Sequence, residues 1–155
     1  MKDEAAELID FIRDAFRGVP LGDGIGLRQA EGLDDYASAE QLAQYREQDE
    51  RLDWSQISPA MLAACESSLR YFDAAGMRFH LPAFVIRQLS GPHQRHLDVP
   101  LIYPDPKRHA LLTTMQREAV RRYLTFVYKC YEDPEDTDVP AALAGYWNET
   151  HDPVD

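Results

Sequence analysis

The chain has 155 residues, of which 45% are hydrophobic, 10% aromatic and 28% charged, a composition suited to one globular domain and too apolar for a disordered chain. Its 27 acidic and 16 basic residues leave a net charge of -11, which argues against a free-standing DNA or RNA binder, because the phosphate backbone repels such a molecule as a whole. No apolar run approaches the roughly 18 residues of a membrane helix, and Met1-Lys2-Asp3-Glu4 does not read as a secretory signal, so a soluble cytoplasmic domain is expected.

Residues 3–17 place Leu8, Ile9, Ile12 and Phe16 on one stripe, the spacing of an amphipathic helix that Gly18 and Pro20 end. The glycines of Gly22-Asp23-Gly24-Ile25-Gly26 suggest a phosphate loop, but no strand precedes them and no lysine follows in the required position. A flexible turn is the expectation, with a short helical turn over 27–32. Ser38 and Gln41 form a capping-box pattern that opens a surface helix over 39–49. Leu52 and Trp54 are expected to tie the chain back to the core. Ser58-Pro59 starts the next helix, over 59–71, with Met61, Leu62, Cys65 and Leu69 inward. Asp73 to Gly76 reads as a turn, Met77 to Leu81 as a short extended piece, and Pro82 as the opening of a central helix over 82–90.

Four prolines between 91 and 110 preclude one regular helix, so a long proline-rich loop is expected, with Val99 to Tyr103 briefly extended. Thr113 and Gln116 form a second capping box and open the longest helix, 114–131, whose inner stripe is Met115, Ala119, Tyr123, Val127 and Cys130. An acidic linker, Asp133 to Asp138, leads to a last helix over 139–148. Residues 1–148 thus read as a single compact all-α domain of five to six amphipathic helices, and 149–155 as a flexible tail.

Charge is unevenly distributed. Residues 1–77 carry a net -9, residues 78–130 a net +6 and residues 131–155 a net -8. Either the basic centre packs between its acidic neighbours, or it forms a basic pocket on an acidic body.

The ordered set Gly22-Asp23-Gly24-Ile25, Asp34-Asp35-Tyr36, Asp53-Trp54 with Ile57, Tyr71-Phe72, Gly76-Met77-Arg78-Phe79-His80-Leu81-Pro82-Ala83, Gln116 with Ala119-Val120 and Tyr123-Leu124, Ala142-Leu143 and Tyr146-Trp147 resembles the bacterial proteins grouped as a domain of unknown function, number 6714. The resemblance spans about residues 8 to 147, and the Gly76 to Ala83 stretch is its most specific part. It implies a small stand-alone bacterial cytoplasmic protein and carries no activity, substrate or catalytic residue.

Several clusters invite chemistry. His93 and His96 with Asp98 are the most metal-like pattern, but the flanking glycine and prolines disfavour a helix there and Arg95 would sit beside the cation, so no metal is expected. Cys65 and Cys130 lie on apolar stripes and read as small buried hydrophobes rather than nucleophiles. Arg78, His80 and Arg87 surround the Leu-Pro-Ala stretch and Arg117, Arg121 and Arg122 lie on the long helix. If these faces meet they form an anion-binding site, with Arg78, His80, Arg117, Arg121 and Arg122 as its expected ligands. The competing expectation is internal pairing. It takes Glu66, Asp73, the Glu132–Asp138 stretch or the N-terminal acids as partners, since buried unpaired charges are too costly.

With no catalytic constellation and no pattern that calls for a cofactor, three classes follow. The first is a non-catalytic acidic protein-interaction module of immunity or regulatory type, with a protein partner such as a basic toxin. The second is a small-molecule or anion-binding protein, or an enzyme, that uses segment 78–130. The third is a nucleic-acid mimic, which requires Asp34, Asp35, Glu40, Glu47, Asp49, Glu50 and Asp53 to share one exposed face.

Overall fold

The computed structural model describes residues 2–149, and these form eight α-helices with no strand among them. They are α1 (Lys2–Ala15), α2 (Leu27–Asp34), α3 (Ala39–Gln48), α4 (Pro59–Ala64), α5 (Ala74–Ser90), α6 (Val99–Ile102), α7 (Thr114–Cys130) and α8 (Val139–Ala144). Turns of 3₁₀-helix occupy Trp54–Gln56, Glu66–Arg70, Arg95–Asp98 and Tyr146–Asn148. The helix count exceeds the expected five to six because Leu27–Asp34 forms a full helix, α2, where a short helical turn was expected, and the expected loop 91–110 contains α6. Helix α1 packs on α5 and α7, α2 on α3 and the Glu66–Arg70 turn, and α8 on α7. One core cluster unites Ile12, Phe16, Met77, Phe79, Phe84, Tyr123, Leu124 and Trp147. Among the described residues no helix is long and apolar enough to cross a membrane. The expected tail, Glu149 apart, lies outside the described residues.

Helix starts follow local chemistry. The Ser38 hydroxyl accepts from Gln41 N at 3.2 Å and the Gln41 side chain returns to Ser38 N at 3.1 Å. Thr113 and Gln116 repeat the arrangement at 3.2 and 3.0 Å. Ser58 caps α4 through Met61 N, with Pro59 in the first turn. Helix α3 contains no buried residue, which agrees with its expected surface position.

Three expectations fail at the centre of the chain. Asp73 to Gly76 is not a helix-ending turn. Asp73 is the N-cap of α5, with its carboxylate accepting from Gly76 N at 2.8 Å and from Ile25 N at 3.0 Å. Met77 to Leu81 is helical rather than extended, and α5 runs through Pro82. A mid-helix proline costs roughly 3 kcal/mol. Here the helix buries Met77, Phe79, Leu81, Phe84 and Val85 around it, and that burial outweighs the lost hydrogen bond.

The segment 91–110 is likewise ordered. Val99 to Ile102 is helix α6, not extended, with Pro100 in its first turn and Leu97, Asp98, Leu101 and His109 buried. At the periphery, Leu52 is 82% exposed and Met115 53% exposed, so neither joins the core. Cys130 is exposed, whereas Cys65 is buried as expected.

Candidate functional site

Asp98 is fully buried and organises one end of the molecule. Its Oδ1 accepts the Tyr123 hydroxyl at 2.5 Å, and its Oδ2 accepts the Tyr131 hydroxyl at 2.5 Å and His93 Nε2 at 2.7 Å. The Arg95 guanidinium covers the Tyr131 ring at 4.2 Å. Burial is the first cause that pushes both phenols well above their usual range, with the adjacent Asp98 carboxylate adding to it, so both remain hydroxyl donors. His96 turns instead to Glu66, at 3.4 Å. The two histidines therefore do not converge with Asp98 on one point. Among the described residues no group of three His, Cys, Asp or Glu side chains could hold a metal. The sequence pattern drew attention to Asp98 but not to its tyrosines. The signal lay in Tyr123 on the inner stripe of α7 and Tyr131 at its C-cap, whose buried hydroxyls each need an acceptor.

The five residues proposed as an anion site have separate surroundings. His80 is buried, stacked on Phe72 at 4.3 Å, and its Nδ1 donates to the Gly76 carbonyl at 2.7 Å. Burial lowers its pKa to about 4, so the imidazole is neutral at pH 7 and offers no positive charge. Arg117 is buried and donates to the Tyr146 carbonyl at 2.6 Å, above the Tyr146 and Trp147 rings. Arg121 donates to the Trp147 carbonyl at 2.8 Å, and Arg122 pairs with Glu118 at 3.0 Å over the Phe11 ring. The Arg78 Nε is buried and has no hydrogen-bond partner among the described residues. Pairing is internal, but the partners differ from those expected. The carbonyls at the chain's C-terminal turn and Glu118 take the place of the acidic linker. A helical turn ends in unsatisfied carbonyls, and a buried guanidinium satisfies two of them where a carboxylate would add a second buried charge. Glu66 does serve as an expected partner, to Arg87 at 3.1 Å.

Cys65 is no nucleophile in this setting. Burial first, and then Glu31, pushes its thiol up to about 11, which disfavours the thiolate. The seven acids that a nucleic-acid mimic requires do not share one exposed face either. Asp49 is buried, its carboxylate accepting from Arg28 N at 2.8 Å and Gln29 N at 3.1 Å at the start of α2, and a side chain at Gly26 would collide with it.

Exposed acids lie along α1, on the α2–α3 hairpin and in the Glu132–Asp136 stretch. Asp35, Glu40 and Glu47 are exposed, and Asp34 accepts from the Tyr71 hydroxyl. Tyr36 joins the two helices with φ +54°, the left-handed region, and is 95% exposed. The hydrogen bond to Asp34, and then the Asp34 charge, raises the Tyr71 phenol above its usual range. Beside them a cavity of about 300 Å³ is lined by Asp34, Glu66, Tyr71 and His96, among others.

The model of a family of unknown function, DUF6714, matches residues 4–151. The chain belongs to that family. The DUF6714 match covers all eight helices apart from the first two residues of α1, and includes the segment from Gly76 to Ala83, which the structure places in α5. No curated protein and no solved structure matches the chain.

Proposed function

We propose that this DUF6714 member is a non-catalytic protein-interaction module, of immunity or regulatory type, that works in the cytoplasm and binds a basic partner through the α2–α3 hairpin. The observation that carries this reading is Tyr36. A non-glycine residue in the left-handed region costs on the order of 1–2 kcal/mol. The left-handed turn closes α2, where the Ala37 N–H donates to the Gly32 carbonyl at 2.8 Å, but it does not require an aromatic side chain, and the Tyr36 ring is 95% exposed. A large aromatic held out among acids has the form of an interface anchor with a charged rim.

The distribution of charge supports the same reading. Arg87, Arg95, Arg108, Arg117, Arg121, Arg122 and Lys129 of the basic segment all contact the chain's own carbonyls, carboxylates or rings. Asp35, Glu40 and Glu47 face outward. Outward acids steer a basic partner to the hairpin. The alternative, an anion-binding protein or enzyme acting through Arg78, His80, Arg117, Arg121 and Arg122, draws less support, because three of the four guanidiniums are engaged internally and the imidazole is neutral.

Fluorescence anisotropy against a panel of labelled arginine- and lysine-rich peptides tests the proposal. Tyr36→Ala, and separately the triple change Asp35→Asn, Glu40→Gln, Glu47→Gln, should each weaken binding at least tenfold without lowering the melting temperature. Peptides that bind both variants as tightly as the parent would defeat it.

A further inference from the structure

A second cavity, of about 420 Å³, lies where α1, the Trp54–Gln56 turn, the start of α4 and the second half of α5 meet. Its floor is apolar, made of Trp54, Ile57, Ala83 and Ile86, and its rim carries Arg13 and Arg87. No aspartate or glutamate lines it. In a chain of net charge -11, three other cavities hold Asp34 with Glu66, Glu4 with Glu7 and Glu118, or Asp49 with Glu50, and another that is free of acids, between Phe84 and Leu101, carries no basic residue.

The polar groups around this groove are mostly committed. The Trp54 indole N–H donates to the Phe16 carbonyl at 2.8 Å, the Ser55 hydroxyl to Asp53 at 2.6 Å and the Ser90 hydroxyl to the Ile86 carbonyl at 2.7 Å. The guanidiniums are engaged only in part. Arg13 meets Asp10 at 3.9 Å, with the two side chains 59% and 78% exposed, a contact that water and salt weaken. Arg87 engages Glu66 through Nη1 alone at 3.1 Å, and its other nitrogens have no partner among the described residues.

We infer that this groove binds a small amphipathic organic anion, a carboxylate on an aromatic or branched apolar body. The apolar floor removes the body from water. The guanidinium forks match a carboxylate in plane and spacing. Ligand sites commonly enclose roughly 300–1,000 Å³, apolar with a few polar groups, and this groove meets both conditions. A protein partner needs roughly 800 Å² of surface on each side, so a groove this short suits a small molecule better than a docked helix. The site lies on elements other than the α2–α3 hairpin and stands whether or not the hairpin binds a partner.

The probe is 1-naphthoate, compared with 1-naphthylmethylamine, its cationic counterpart, by ¹H–¹⁵N NMR titration of the whole chain. Saturable shifts are expected for the Trp54 indole N–H and the Gly91 amide with naphthoate, and at least tenfold weaker binding of the amine. The double variant Arg13→Gln, Arg87→Gln should lower naphthoate affinity at least tenfold. Arg87 also holds Glu66, so Arg13→Gln alone, which alters only an exposed pair, keeps the test valid should the double variant fail to fold. It is expected to weaken binding about threefold. The inference is overturned if shifts fail to saturate or map elsewhere, or if the amine binds as tightly as naphthoate. It also fails if Arg13→Gln binds like the parent, or if an acetylated Trp-Glu peptide binds tenfold more tightly than naphthoate, which would make the site a peptide groove.

Discussion

The Tyr131 hydroxyl meets the Asp98 carboxylate at 2.5 Å across 33 residues of chain and ties the last turn of α7 to the segment before α6. Tyr123 and His93 meet the same carboxylate, so one buried acid orders the proline-rich stretch against the longest C-terminal helix. Removing it strands three donors. Asp98→Ala should cost roughly 3–5 kcal/mol, the range for breaking a buried charged pair, and Tyr131→Phe roughly 1.5–3 kcal/mol. Urea denaturation of both variants checks this, and a loss below about 1 kcal/mol for Asp98→Ala would show that the segment is held by apolar contacts instead.

Phe84 lies at the middle of α5, 2% exposed, within the core cluster. Phe84→Ala should lower stability by roughly 3–5 kcal/mol, with the loss set by how little the surrounding side chains collapse into the void. Thermal melting of the soluble variant measures it, and unchanged melting would contradict the central position of α5.

His80 and His109 are both buried, and burial lowers each pKa from 6.5 to about 4. Between those values the unfolded chain binds protons that the folded chain refuses. Stability is therefore complete above pH 6.5 and falls as the pH drops toward 4, by up to about 1.4 kcal/mol per pH unit for each histidine. The denaturation midpoint should be lower at pH 5 than at pH 7. In His80→Gln the slope between the two should be shallower, whatever the variant's absolute stability, and an unchanged slope would mean that His80 takes up its proton in the folded state.

Arg121 and Arg122 separate two kinds of internal contact. Arg122 pairs with Glu118 on an exposed helix face, a contact worth less than about 1 kcal/mol and weakened by salt. Arg121 shares Glu118 more loosely, at 3.6 Å, and donates chiefly to the Trp147 carbonyl at 2.8 Å, a contact that salt screens far less. Arg122→Gln should cost a few tenths of a kcal/mol, and about 1 M sodium chloride should erase the difference. Arg121→Gln should cost about 1–2 kcal/mol and keep most of it in salt. Equal salt sensitivity in the two variants, read from denaturation curves, would remove the distinction.

The sequence by itself determined the features that act over three or four residues. The capping pairs Ser38 with Gln41 and Thr113 with Gln116 lie three positions apart, so their hydrogen bonds form wherever the helix begins. The inner stripe of α7 follows from its period, apart from its end residues Met115 and Cys130, which helix ends leave exposed. The excess of bases between 78 and 130, and of acids on either side of it, is likewise read directly from the sequence. Only the tertiary structure decided that α5 continues through Pro82, because a local rule counts the missing hydrogen bond but not the core that surrounds the helix. The same holds for Asp98. Its three partners stand 5, 25 and 33 residues away, and no periodicity relates them. Arg117 and Arg121 found backbone carbonyls rather than the numerous acids, since carbonyls carry no position-specific mark in a sequence and become ligands only when a helical turn ends beside a buried guanidinium.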